Sequence, residues 1–360
     1  MSWLKTAQNI IGYEKKPNRQ NGPVGALLDM KTGNSNMLMI GTPGACKTTH
    51  LCQLLIAGDR LVQKTPPDKV FDMLLEEGGT NLEHDKSALR AGYFPPKTTK
   101  LKGVSTVETA LTFKWADLST LLGRRIETGV ITAKMSVADL AGEDLIQLIE
   151  QVNAARTYQD AEKLGSQKVT SLITNASAFM FIVKAPRLQG LDDKPLEAEP
   201  TDNNGMSIYS DANFKRMLNG IIRYKRQNRH SPPIRSIAFV LTAWDQLQPW
   251  AKKIRAITGK PFDPIDDEIS EESLSKLIAA CLPSTTSAVK SLGIPNVRYF
   301  PSWVELEPEP DPVTKSPRIK RYDMFDPEND WADNINQIKY SEKWCWREID
   351  WIKDYAVQGA

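Results

Sequence analysis

Three continuous apolar runs constrain this chain more than any other feature: MLMI at 37–40, AFMFIVKA at 178–185 and the apolar part of IRSIAFVL at 234–241. Runs of this kind read as strands covered on both faces, which occur in parallel sheets with helices packed above and below. Segments with apolar residues at helical spacing alternate with them, at 49–61, 143–163, 211–226 and 272–292. Two runs with strand-like alternation, 103–115 and 129–137, and a last apolar run, 297–303, complete the strand set. Residues 66–91 are polar, carry two short helical patterns, and end at a GYFPP break. Strands alternating with helices predict an α/β fold of three layers with a mostly parallel sheet.

At 360 residues, with 41% hydrophobic and 25% charged side chains, the composition is that of an ordinary globular protein with a sizeable core. A net charge of +2 gives no bulk electrostatic case for nucleic acid as a partner. The four cysteines, Cys46, Cys52, Cys281 and Cys345, form no C-x-x-C pair, which predicts a reduced, cytoplasmic setting. No stretch is apolar enough for a signal peptide or membrane span. The expected organisation is an N-terminal extension (1–33), a main domain (34–306) with insertions at 62–91, 187–209 and 256–268, and a C-terminal extension (307–360). The last ends in a helix whose Trp344, Trp346 and Trp351 form an aromatic face expected to bury against the domain.

The turn after the first strand reads GTPGACKTT (41–49), between a strand and a helix, which is the context a phosphate-binding loop requires. Backbone N–H groups of such a loop point at phosphates, helped by the positive end of the following helix. Gly41 and Gly44 permit the turn, and Ala45, Cys46 and Thr49 complete the cradle. Lys47 supplies a point charge, and the Thr48 hydroxyl a Mg²⁺ ligand. The position before the lysine, ordinarily glycine in such loops, is Cys46. A Cβ there restricts the backbone and crowds the ligand.

A second motif, ADLAGED (138–144), places Asp139 at a strand end, where a Mg²⁺ ligand is needed. Gly142 would offer its N–H to a γ-phosphate, and Glu143 would orient an attacking water. Third, LTAWD (241–245) presents Thr242 and Asp245 at another strand end. A carboxylate there accepts two hydrogen bonds from the N1–H and amine of guanine, which adenine cannot offer, so Asp245 argues against ATP. Fourth, FPSW (300–303) offers Ser302 and Trp303 beside the base.

In order and strand context, these motifs resemble the P-loop GTPases of the Ras-like and translation-factor clade, and are most similar to the bacterial double-GTPase families. Gly92-Tyr93-Phe94-Pro95-Pro96-Lys97-Thr98-Thr99 is similar to their first switch segment. The resemblance covers about 37–304 and implies a three-layer P-loop NTPase fold of the Ras-like G-domain type, with helices on both faces. It implies GTP or GDP with Mg²⁺ as ligands, Thr98 or Thr99 as a further Mg²⁺ and γ-phosphate ligand, and an effector or regulator protein as partner. The function so implied is a switch with slow hydrolysis carried by Lys47, Thr98, Gly142 and Glu143. The lysine of the guanine motif, whose stem packs over the base and back onto the loop, is replaced by Ala243. With Cys46, that departure keeps open an alternative: a nucleotide-poor module acting as a structural or interaction partner. Arg90, Arg124 and Arg125 are candidate arginine fingers, and self-association is left open. His50 reads as a packing residue, and the basic run Arg223, Lys225, Arg226 and Arg229 as a solvated helix end.

Overall fold

The computed structural model describes residues 32–41, 44–65, 69–75, 80–95, 109–121, 124–137, 167–188, 191, 207, 209–228, 230–265, 269–321 and 338–358. Strand β1 (Thr32–Gly41) leads into α1 (Lys47–Lys64), followed by β2 (Lys69–Leu75), α2 (Thr80–Arg90), β3 (Thr109–Leu121) and β4 (Arg124–Val137). After α3 (Gln167–Asn175) come β5 (Ala178–Lys184), a 3-10 turn (Ala185–Arg187), α4 (Asp211–Gln227), β6 (Ser236–Thr242) and a second 3-10 turn (Trp244–Trp250). The chain closes with α5 (Ala251–Thr258), α6 (Glu271–Cys281), α7 (Pro283–Ser291), β7 (Asn296–Ser302) and α8 (Glu342–Gln358). The segment expected to be helical at 143–163 lies outside the described residues.

The fold is α/β, built on one seven-stranded sheet in the order β2-β3-β4-β1-β5-β6-β7. From β4 to β7 each neighbouring pair is parallel, whereas β2–β3 and β3–β4 are antiparallel. The apolar runs occupy the middle of this sheet. Met37, Leu38, Met39 and Ile40 of β1 are each at most 1% exposed, and every residue of β6 is buried. Burying one such aliphatic or aromatic side chain is worth roughly 1.5–3 kcal/mol, so these strands dominate the stability. Phe181, Phe239 and Tyr299 stack across β5, β6 and β7 at centroid separations of 5.5 and 5.8 Å.

Three details differ from the sequence expectation. KVFDMLL, within the region expected to carry two helical patterns, is the outermost strand β2, which buries Phe71 against Trp115 of β3 at 5.5 Å. The strands of the β3–β4 hairpin run on to Leu121 and start from Arg124, beyond the expected 103–115 and 129–137. The single helix expected over 272–292 is two helices, because Pro283 lacks the N–H needed to continue α6 and instead starts α7. The Asp211 carboxylate caps that new start, accepting from the Ser284 and Thr285 N–H groups at 2.7 and 2.8 Å. These bonds hold its pKa below the usual carboxylate value against the opposing effect of burial.

The tail tryptophans behave as expected: Trp344 and Trp351 are buried, and Trp346 packs against the core while donating to the Ala57 carbonyl at 3.3 Å. Residues 303–321 cross the surface through isolated bridges, Val304 to Tyr340 and Leu306 to Ile319. Among the described residues, no helix is long and apolar enough to cross a membrane.

Lys225, expected in a solvated basic run, is instead buried. Its ammonium donates to the carbonyls of Ile173, Thr174 and Ala176 at 3.2, 3.0 and 2.5 Å, just where α3 ends. Burial pulls its pKa down to about 8, while the carbonyl ring supplies the partners a buried cation requires. Lys225→Ala should lower the unfolding free energy in urea by about 2–4 kcal/mol by stranding those carbonyls, whereas the exposed neighbour change Arg226→Ala should move it by less than about 0.5 kcal/mol.

Candidate functional site

The carboxyl ends of β1, β5, β6 and β7 lie along one edge of the sheet, where open α/β sheets bind ligands. Register sets the spacing: Gly41 pairs with Ile182, Lys184 with Thr242, and Thr242 with Ser302. β4 ends at Val137, opposite Met39 of the same edge. The expected metal and switch residues Thr98, Thr99, Asp139, Gly142 and Glu143 lie outside the described residues.

The 41–49 turn has a definite shape. Gly41 closes β1 against its neighbour so tightly that a Cβ there would come within 2.9 Å of Ile182 Cβ. Gly44 and Cys46 both take left-handed backbone conformations, at φ 68° and 59°. For a side-chain-bearing residue that conformation costs roughly 1–2 kcal/mol, so Cys46 carries strain that glycine would not. Cys46 is also the N-cap of α1; its side chain makes no capping bond to the helix, and its Sγ lies 3.8 Å from the Gly44 carbonyl. Lys47, buried, donates from Nζ to the Gly41 carbonyl at 2.9 Å, and Thr48 and Thr49 are half-buried on the first turn.

The other motifs come to the same place. Thr242 Oγ1 donates to the Ala45 carbonyl at 2.8 Å, tying the end of β6 to the turn. Ala243 is left-handed at φ 54° and turns the chain so that Asp245 follows in the next 3-10 turn. Burial pushes the Asp245 carboxyl up to about 6, against the pull of its own backbone N–H and of Lys184. A cleft lined by Cys46, Thr49, Phe94, Asp245, Trp303 and Leu306 joins the turn to the ends of β6 and β7. Phe94 therefore lines the same cleft as residues of the 242–246 segment, a placement that its position in the 92–99 stretch did not disclose.

A polar network that sequence reasoning missed forms the inner wall of this cleft. The Ser302 hydroxyl lies 2.7 Å from Gln53 Oε1 and 3.0 Å from His50 Nδ1. His50 Nε2 meets Glu348 Oε1 of α8 at 3.0 Å, and Gln53 Nε2 donates to the Trp303 carbonyl at 2.9 Å. His50 and Glu348 are each 1% exposed, so His50 is a fully partnered buried residue, consistent with a packing role. No sequence signal links positions 298 apart. Arg90, one candidate arginine finger, instead pairs with Asp59 of α1 at 2.6 Å. Arg124 and Arg125 begin β4 opposite Leu121 and Thr120. Among the described residues, no group of three or more His, Cys, Asp or Glu side chains could hold a metal ion.

Neither a protein-family model nor a curated protein matches this chain. What the site does is therefore read from its own geometry. Glu348→Ala should strand a buried His50 nitrogen and lower the unfolding free energy by about 2–3 kcal/mol, with Glu348→Gln losing less because it keeps an acceptor. Urea denaturation followed by tryptophan fluorescence measures both.

Proposed function

We propose that this cleft binds a guanine nucleotide with Mg²⁺ and that the protein is a slow GTP-hydrolysing switch acting on a protein partner. One observation carries the reading: the cleft gathers the residues of three separate motifs, Cys46 and Thr49, Asp245, and Ser302 with Trp303, at the carboxyl edge of one sheet. Sheet order supports it. From β3 onward the order β3-β4-β1-β5-β6-β7, with β3 antiparallel, is that of a Ras-like G domain, with β2 added outside.

Several described residues have chemistry that would suit the ligand. The uncapped start of α1 and its left-handed turn suit phosphates. Lys47, now on the Gly41 carbonyl, lies within the loop whose ligand it would neutralise. Thr48 would hold Mg²⁺, joined by Asp139 and Thr98 or Thr99. Mg²⁺ would neutralise charge on the transferred phosphoryl group, while Gly142 and Glu143 would position it and the attacking water. Asp245 would accept the N1–H and amine of guanine, with Phe94 and Trp303 lining the base end.

A second reading, a nucleotide-poor module that works only as an interaction partner, is favoured by the side chain at Cys46, which stands where such loops carry glycine and is held at a strained φ of 59°. Cys46→Gly with Ala243→Lys separates the two. The switch reading expects calorimetric binding of GDP by the native chain, strengthened at least tenfold by the double change. Absence of GTP and GDP binding at millimolar concentration with Mg²⁺ would falsify it.

Asp245 adds a pH signature. Its folded pKa, about 6, lies above the ordinary 3.8, so the folded chain holds that proton more tightly than the unfolded chain. The group's contribution to stability is full below 3.8 and is lost as pH rises to about 6. Guanine needs the ionised carboxylate, so GDP affinity should rise severalfold between pH 5 and pH 7. Asp245→Asn should remove that rise, as titration at both pH values reads directly.

A further inference from the structure

Beside the 41–49 turn stands a cation that none of the motifs supplies. Arg187 ends the 3-10 turn after β5, which packs beside the 3-10 turn holding Trp244 and Asp245. Its Nη1 lies 3.7 Å from where a Cβ on Gly44 would sit, so the guanidinium borders the 41–49 turn at Gly44. It is also held in place: Nη1 donates to the Tyr209 hydroxyl at 3.2 Å, and the guanidinium sits over the fully buried Tyr209 ring, 5.2 Å from its centroid. β5 and β6 pair through Lys184 and Thr242, so Arg187 and Ala243 follow neighbouring strand ends that reach the same loop. From the β6 side that loop meets the uncharged Ala243.

We propose that Arg187 is a ligand-contacting residue of the nucleotide site, supplying at Gly44 the cation that the chain lacks at Ala243 and binding the polyphosphate of the nucleotide. This rests on the nucleotide reading given above. A guanidinium suits the role because its flat fork of donors matches phosphate oxygens, and the Tyr209 platform reduces the entropy lost in ordering it. The requirement for charge at this point follows from the polyphosphate, not from the base. Removing it should therefore act on phosphate-bearing ligands alone.

Titration calorimetry of GDP with Mg²⁺ and of guanosine, on the full chain and its R187Q and R187K variants, tests the assignment. Binding of GDP should weaken roughly tenfold to a hundredfold in R187Q and by less in R187K, with guanosine affinity unchanged in both. GDP affinity within twofold of wild type in R187Q overturns the proposal, as does an equal loss for guanosine and GDP. If R187Q does not fold, R187K decides: a severalfold loss confined to GDP supports the proposal, and no loss overturns it. A wild-type chain that binds guanosine no less tightly than GDP overturns the role of Arg187 while leaving a base site. One that binds neither overturns the nucleotide reading itself.

Discussion

The arrangement depends on β1 lying inside the sheet with a parallel neighbour on each edge, β4 on one side and β5 on the other. A strand in that place has no wet face, so Met37, Leu38, Met39 and Ile40 are apolar without alternation. It also has no room at its end, where Gly41 lies against Ile182 and only a residue without a Cβ fits. The chain must then turn sharply through left-handed Gly44 and Cys46 to enter α1. The N-terminus of α1 is thereby held at the sheet edge, beside the ends of β5, β6 and β7. A central strand thus fixes both a core and the location of a site.

The C-terminal helix is the less expected part of that site. α8 packs on α1, and their contact includes Trp346 against Ala57 and Lys64 and two polar pairs: Glu348 with His50, and Glu342 with Arg60 at 2.5 Å. Buried polar groups of this kind contribute little net stability when satisfied and cost several kcal/mol when broken. They join α8 to α1 and, through the other nitrogen of His50, to Ser302 of β7. Ser302 of β7 and the following Trp303 are held from behind by His50 and Gln53 of α1, the helix that follows the 41–49 turn. The surface strap reaches the same region: the Ile319 N–H donates to the Gly92 carbonyl at 2.9 Å, and Arg318 lies over the Tyr93 ring. The strap thus holds Gly92 and Tyr93, the two residues before Phe94, which lines the cleft.

Much of the fold was legible because burial on both faces writes itself into sequence as unbroken apolar runs, and β1, β5 and β6 were found that way. β2 was hidden because an outer strand of mixed polarity, KVFDMLL, carries little period-2 signal. The α6–α7 break was hidden because apolar helical spacing continues across Pro283, whose missing N–H ends α6 while Asp211 caps the new start of α7. At the site, Gly41, Gly44, Ala45, Cys46, Lys47, Thr242, Asp245 and Ser302 were legible as motifs on strand ends. Their hydrogen bonds were not. The Thr242 hydroxyl goes to the Ala45 carbonyl and the Ser302 hydroxyl to Gln53 and His50, inward links that no spacing rule encodes. Glu348 and Arg187 belong to no motif, and Phe94 reaches the cleft only through the packing of its segment.

In the proposed reading one cleft serves both ends of a guanine nucleotide, phosphates at the start of α1 and base at Asp245. A crystal structure of the full chain grown with GDP and Mg²⁺ tests it most directly. The account predicts the β-phosphate on the backbone N–H groups of residues 44–48 and the guanine edge on the Asp245 carboxylate, between Phe94 and Trp303. Density for GDP elsewhere on the molecule, or an empty cleft at millimolar GDP, would contradict it.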